Sequence, residues 1–136
     1  MIYITRRERF SAAHRMYRND WTDEENMRVF GKCSNPNWHG HDYVLQVTVK
    51  GIVPEELGFF MNITTLKQII KDKIIDKADH KNLNLDVSFM RGKIATTENL
   101  AIAIWNELKP AIEKEGAVLH CVKIAETENN SIEYYG

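Results

Sequence analysis

Cysteine and proline are scarce in this chain, with two of the first (Cys33 and Cys121) and three of the second in 136 residues. Two cysteines cannot build a disulfide framework, so the fold must rest on a hydrophobic core, and a reducing compartment fits. No stretch approaches the ~18 consecutive apolar residues that a membrane span needs. The segment from Met1 to Phe10 lacks the apolar run of a signal peptide, so a soluble cytoplasmic protein is expected. An excess of one charge is also missing: 18 Lys and Arg against 19 Asp and Glu leave a net charge of −1. That balance gives no broad basic surface for nucleic acid, and any anionic ligand must be held by a local cluster. With neither G-x-G-x-x-G nor G-x-x-x-x-G-K-[ST] present, there is no nicotinamide, flavin or P-loop signature.

What is present is ordinary globular material, 43% hydrophobic and 27% charged, which excludes disorder and collagen-like repeats. Residues 1–136 fit one domain, since domains cluster at roughly 100 to 150 residues. A body of ~14 Å radius of gyration has little room for a deep private cleft, so an enzyme of this size is expected to complete its site with a neighbouring subunit.

Ile2, Ile4, Phe10 and Ala12 share one parity and predict a strand over Ile2–Ala13. Residues 15–38 are polar and read as a long connecting loop, a kind that is usually functional or disordered. Asp42–Lys50 is the clearest strand, with Tyr43, Leu45, Val47 and Val49 on the face that should pack under helices. Asn62 or Thr64 can cap a helix running to about Lys77, with Ile63, Leu66, Ile69, Ile70 and Ile74 at helical spacing. A second helix starts near Thr96 or Thr97 and carries Leu100, Ile104, Trp105 and Leu108; Pro110 should kink or shorten it and Gly116 close it. Ala117–Ala125, with Val118, Val122 and Ile124 on one face, and Ser131–Tyr135 read as a final strand pair. The order ββααββ predicts an α+β fold, a four-stranded antiparallel sheet with helices on one face. Its two open edges would be removed by closing into a barrel.

Three histidines stand where a metal can use them. His39 and His41, two apart at the entrance of a strand, point to the same side, and a hairpin-like pairing brings His14 alongside. Three neutral imidazoles suit a catalytic zinc with one position left for water or substrate; H-x-H alone is equally a pair of polar strand residues. Cys33 lies in the polar loop next to Lys32 and six residues before His39, an environment that favours a reactive thiolate. It can be a base, a nucleophile or a fourth ligand. Asp79-His80 is either an oriented dyad or a histidine at a helix C-terminus. Glu126 shares parity with Val122 and Ile124, so its carboxylate points to the buried face and needs a partner or a ligand. His120 and Cys121 read as structural.

Taken together, His14, Phe30-Gly31-Lys32-Cys33, His39-Gly40-His41, Asp79-His80-Lys81-Asn82, Thr96-Thr97-Glu98-Asn99 and Glu126-Thr127-Glu128-Asn129-Asn130 resemble the 6-pyruvoyl-tetrahydropterin synthase family, almost end to end. The resemblance implies a tunnelling fold with two helices between the second and third strands, trimers whose sheets close into a barrel, and a homohexamer of two stacked trimers. It implies zinc on His14, His39 and His41, Cys33 as general base, Asp79 and His80 supplied by a neighbouring subunit, Glu126 anchoring a pterin ring, and Thr97 and Glu98 lining its pocket. The implied reaction converts 7,8-dihydroneopterin triphosphate to 6-pyruvoyl-5,6,7,8-tetrahydropterin with loss of triphosphate, in tetrahydrobiopterin biosynthesis. Asn62 and Lys67 agree with the family pattern. Trp38, where animal members usually carry a small residue, and Asp42, in place of asparagine, depart from it.

Two alternatives share these residues. One is 6-carboxytetrahydropterin synthase of deazapurine biosynthesis, which typically has a shorter gap before H-G-H than the five residues Ser34–Trp38 found here. The other is a noncatalytic domain braced by zinc.

Overall fold

The computed structural model describes Met1–Gly136. Two long strands come first, β1 (Ile2–His14) and β2 (His39–Gly51), separated by a short helix α1 (Asp23–Phe30) and a 3-10 turn (Gly31–Ser34). Helix α2 (Ile63–Ile70) continues through a π-helical turn (Lys71–Ile75) into the short α3 (Asp76–Ala78). A two-residue strand β3 (Lys81–Asn82), a 3-10 turn (Ser88–Met90), helix α4 (Thr97–Lys114) and strands β4 (Val118–Thr127) and β5 (Asn130–Tyr134) complete the chain.

The architecture is the expected α+β, with one correction. The sheet has five strands in the order β3-β1-β2-β4-β5, not four. The extra strand pairs parallel to Ala12 and Ala13 of β1, and two residues are too few to show any hydrophobic period. The four longer strands are antiparallel neighbours.

On β2 the predicted face holds: Tyr43, Leu45, Val47 and Val49 are all buried, with Tyr43 opposite Phe10 and Val49 opposite Ile4 of β1. Each large apolar side chain buried there contributes roughly 1.5–3 kcal/mol relative to exposure. α4 covers β4 and β5 with Leu100, Ile104, Leu108 and Ile112, while α2 closes the core with Leu66 and Ile70. On β4 the predicted face is wrong at one residue. A bulge opposite Thr48 and Val49 shifts the register, so Leu119 turns inward and Val118 outward.

Two helical expectations also change. The 15–38 loop contains α1, whose Thr22 hydroxyl accepts from the Glu25 N–H at 3.1 Å; Thr22-Asp23-Glu24-Glu25 is a capping-box pattern that marks this start in the sequence. Pro110 does not shorten α4, which runs on to Lys114. Gly116, at φ +82°, closes it as expected. Asn62 caps α2 by accepting from Thr64 N–H at 2.8 Å; Ile63, expected in the core, is exposed there.

The start of α4 is set by Thr96, whose hydroxyl accepts from Asn99 N–H at 3.1 Å. Losing such a cap costs about 1 kcal/mol. Thr96→Ala should therefore lower the urea midpoint at unchanged slope; an unchanged midpoint would remove the cap from this account.

Candidate active site

His14 stands opposite His39 in the β1–β2 ladder, and His41 opposite Ala12. This pairing puts all three imidazoles on the helix-facing side at one end of the sheet. Ring centroids lie 4.5 Å apart for His14 and His39, and 5.1 Å apart for His41 and each of the others. His14 is fully buried, and its Nδ1 lies 2.7 Å from the Ala95 carbonyl oxygen. A carbonyl can only accept, so Nδ1 carries the proton and Nε2 presents a lone pair.

Three buried nitrogens, His14 Nε2, His39 Nδ1 and His41 Nε2, have no hydrogen-bond partner. The three residues can offer ligand atoms all within 4.8 Å of one another. Burying a polar atom unpaired costs about 1–3 kcal/mol, and the three nitrogens together form a set that could hold a metal ion. Burial, first, holds the His14 and His39 imidazoles below their ordinary value, which favours the neutral, ligating form.

Glu126 joins this centre to α4. Its Oε1 lies 3.4 Å from His41 Nε2, and its Oε2 accepts a 2.5 Å hydrogen bond from the Thr97 hydroxyl. The carboxylate predicted to face inward thus has its partner. Thr97, Glu98 and Glu126 line a cavity of about 350 Å³ together with Met16, Asn130 and Ser131. Met16 and Ser131 were not singled out from sequence, and Asn130 entered only as the last residue of the Glu126–Asn130 motif; the hairpin of β4 and β5 brings Asn130 and Ser131 to the cavity.

Cys33 sits half-buried and unpaired on the Gly31–Ser34 turn. Its carbonyl accepts from Met16 N–H at 2.8 Å, two residues past His14, so the long connection folds back onto the end of β1 that carries His14. Cys121 is buried in the sheet, and His120 packs edge-on against Tyr3 and Tyr135 at the far end.

Asp79 and His80 end the α2–α3 arm against β1. Ser11 N–H donates to Asp79 Oδ1 at 2.9 Å, and this bond is the main reason the Asp79 carboxyl lies below the usual range. His80 N–H donates back to the Ser11 carbonyl at 2.7 Å. His80 adopts a left-handed conformation at φ +61°, and its Nδ1 lies 3.0 Å from Asp79 Oδ1. Its ring is 83% exposed. Within the chain this dyad forms no hydrogen bond or ion pair with Cys33 or the histidine triad; His80 borders an open groove that His41 also lines.

A family model described as 6-pyruvoyl tetrahydropterin synthase matches residues 3–136. The chain belongs to that family. It is 51% identical over 135 residues to the 6-pyruvoyl tetrahydrobiopterin synthase of Dictyostelium discoideum, covering 99% of this chain and 96% of that one. Identity to the human protein of the same name is 44% over 133 residues, covering 98% and 90%. The solved structure of Caenorhabditis elegans 6-pyruvoyl tetrahydropterin synthase aligns with a TM-score of 0.92 at 38% identity, covering 99% and 95%. The chain is therefore an enzyme of the pyruvoyl-tetrahydropterin synthase type.

Both departures from the family's sequence pattern now have a place. Asp42 lies on the opposite sheet face from the imidazoles and accepts a hydrogen bond from the Ser11 hydroxyl of β1. Trp38 adopts φ +68°, a costly conformation for a bulky residue, with its ring edge-on to Tyr17 at 6.5 Å.

The lowered histidine values set a pH dependence for the metal-free protein. The unfolded imidazoles titrate near 6.5 and the folded ones below it, so below that pH the unfolded state binds more protons. The stabilising contribution is complete above pH 6.5 and is lost as pH falls through the folded values. Metal-free protein should melt at progressively lower temperature from pH 6.5 downward in a thermal series; a flat profile to pH 5 would mean that these imidazoles are solvated.

Proposed function

We propose that the chain catalyses conversion of 7,8-dihydroneopterin triphosphate to 6-pyruvoyl-5,6,7,8-tetrahydropterin with release of triphosphate. The observation that carries this reading is the convergence of three unpartnered imidazole nitrogens beside a carboxylate that opens onto a cavity. The similarity of 44–51% to proteins named 6-pyruvoyl tetrahydrobiopterin synthase supports it, as does the five-residue gap between Cys33 and His39.

In this reading His14, His39 and His41 hold zinc, whose nitrogen-rich, four-coordinate preference suits them. Bound there, zinc supplies Lewis acidity that makes the hydroxyl and neighbouring C–H protons of a bound side chain easier to remove. Cys33 as thiolate removes a proton from the substrate side chain, electrons move into the ring so that C6 and N5 become reduced, and a second proton removal expels triphosphate. The redox change is internal to the substrate. Glu126 accepts hydrogen bonds from the ring's amino and N–H groups, held in place by the Thr97 hydroxyl, with Glu98 on the same wall.

The exposed Asp79-His80 dyad activates the thiol of a neighbouring subunit. Along β1 only Ala12 and Ala13 are paired on the outer side, by β3, so the strand leaves most of one sheet edge open for barrel closure into trimers and a homohexamer. The whole chain works as one domain. Its two free cysteines fit the cytoplasm, and no helix is long and apolar enough to cross a membrane.

The test is direct. Purified protein with zinc and dihydroneopterin triphosphate, without added reductant, should release triphosphate; no release would sink the reading. Cys33→Ala should keep zinc and lose ~10²-fold or more in turnover, the usual scale for a general base. If zinc leaves with the sulfur, Cys33 is a ligand. Glu126→Ala should weaken pterin binding, and unchanged affinity would take it out of the pocket.

A further inference from the structure

Arg15 follows the first metal-site histidine, and its side chain is tied down as surface arginines rarely are. Its backbone is fixed on both sides: the Arg15 N–H donates to Asn84 Oδ1 at 2.9 Å, and Asn84 Nδ2 donates to the Arg15 carbonyl at 2.8 Å. Its side chain is only 13% exposed. The Nε–H donates to the Ser34 carbonyl at 2.7 Å, and the guanidinium carbon lies 4.1 Å from the Tyr17 ring centroid. One guanidinium nitrogen also lies 3.8 Å from Asp23, but that carboxylate is 88% exposed and the pair contributes little.

These contacts have one geometric result. The chain leaves the sheet at His14, runs through α1 and returns at the Gly31–Ser34 turn. The return is closed by two adjacent bonds, Met16 N–H to the Cys33 carbonyl and Arg15 Nε–H to the Ser34 carbonyl. The first is main chain to main chain. The second is made by a side chain with a planar, directional donor, wedged between Tyr17 and the turn. Together they register the cysteine-bearing turn to the strand end that carries His14.

We propose that Arg15 is a positioning residue for the Cys33 thiol, holding it in register with the three-histidine site through the Ser34 carbonyl. The inference rests on Cys33 acting as the base. Lysine at this position keeps the charge and loses the fork, and methionine keeps the length and loses both.

The experiment compares Arg15→Met and Arg15→Lys with the unchanged protein by three readouts: zinc content, kcat and KM for the triphosphate substrate, and the rate of iodoacetamide alkylation at Cys33, separated from Cys121 by peptide mass. Both variants should keep one zinc per chain and a KM within about twofold, while kcat falls ~10- to 100-fold, the scale of a small misplacement of a reacting group. Cys33 should alkylate faster in both as its turn loosens. An unchanged alkylation rate with unchanged kcat in a folded variant overturns the proposal. So does full rescue by Arg15→Lys, which would reduce the role to charge, and so does loss of zinc in both variants, which would make Arg15 a support of the whole fold. Full turnover by Cys33→Ala would instead defeat the functional reading, and the alkylation comparison would still report whether Arg15 holds the turn.

Discussion

The antiparallel register of β1 on β2 is the constraint from which the site follows. Thirteen pairs run without a shift from Ile2 opposite Gly51 to His14 opposite His39. A slip of one residue would reverse the face of every side chain on one strand. His14 would leave His39 and His41, and Phe10 and Ala12 would leave the core. The apolar pairs Phe10–Tyr43 and Ile4–Val49 therefore fix where the imidazoles meet, far from the residues that meet there. The irregularities of the sheet fall elsewhere, in the pairing of β4 with β2 and with β5, where they spare this ladder.

A second constraint comes from the segment leading into α4. Ala95 accepts from His14 Nδ1, Thr96 caps the helix, and Thr97 holds Glu126. Three consecutive residues thus set the tautomer of His14, the start of the helix covering the sheet and the orientation of the carboxylate beside the histidine triad. The cap of α4 and the residue that holds Glu126 are therefore neighbours in the chain. The unpaired nitrogens of the triad work in the other direction. They weaken the metal-free fold, and a cation that binds only the folded chain offsets them by mass action.

Much of this was legible in the sequence because it is periodic or compositional. The face Tyr43-Leu45-Val47-Val49, the cap at Asn62 and the α4 stripe are local patterns, and His14, His39 and His41 needed only strand parity and one pairing. What was not legible depends on distant partners. The two-residue β3 exists because the Asp79-His80 turn is bonded to Ser11, and the inward turn of Leu119 depends on a bulge opposite Thr48 and Val49. The roles of Arg15, Met16 and Asn84 in closing the return to Cys33 come from contacts between positions separated by up to 69 residues. The α1 start, by contrast, was written in Thr22-Asp23-Glu24-Glu25 and hidden by the polarity of its surroundings.

The central claim is that three imidazoles hold the metal while the Cys33 sulfur stays free to take a proton. X-ray absorption at the zinc edge, on protein loaded with one zinc per chain, tests it most directly. The expected spectrum shows three imidazole nitrogens at about 2.0–2.1 Å, one further light atom from water and no sulfur. A sulfur scatterer at about 2.3 Å, or fewer than three imidazoles, would contradict it.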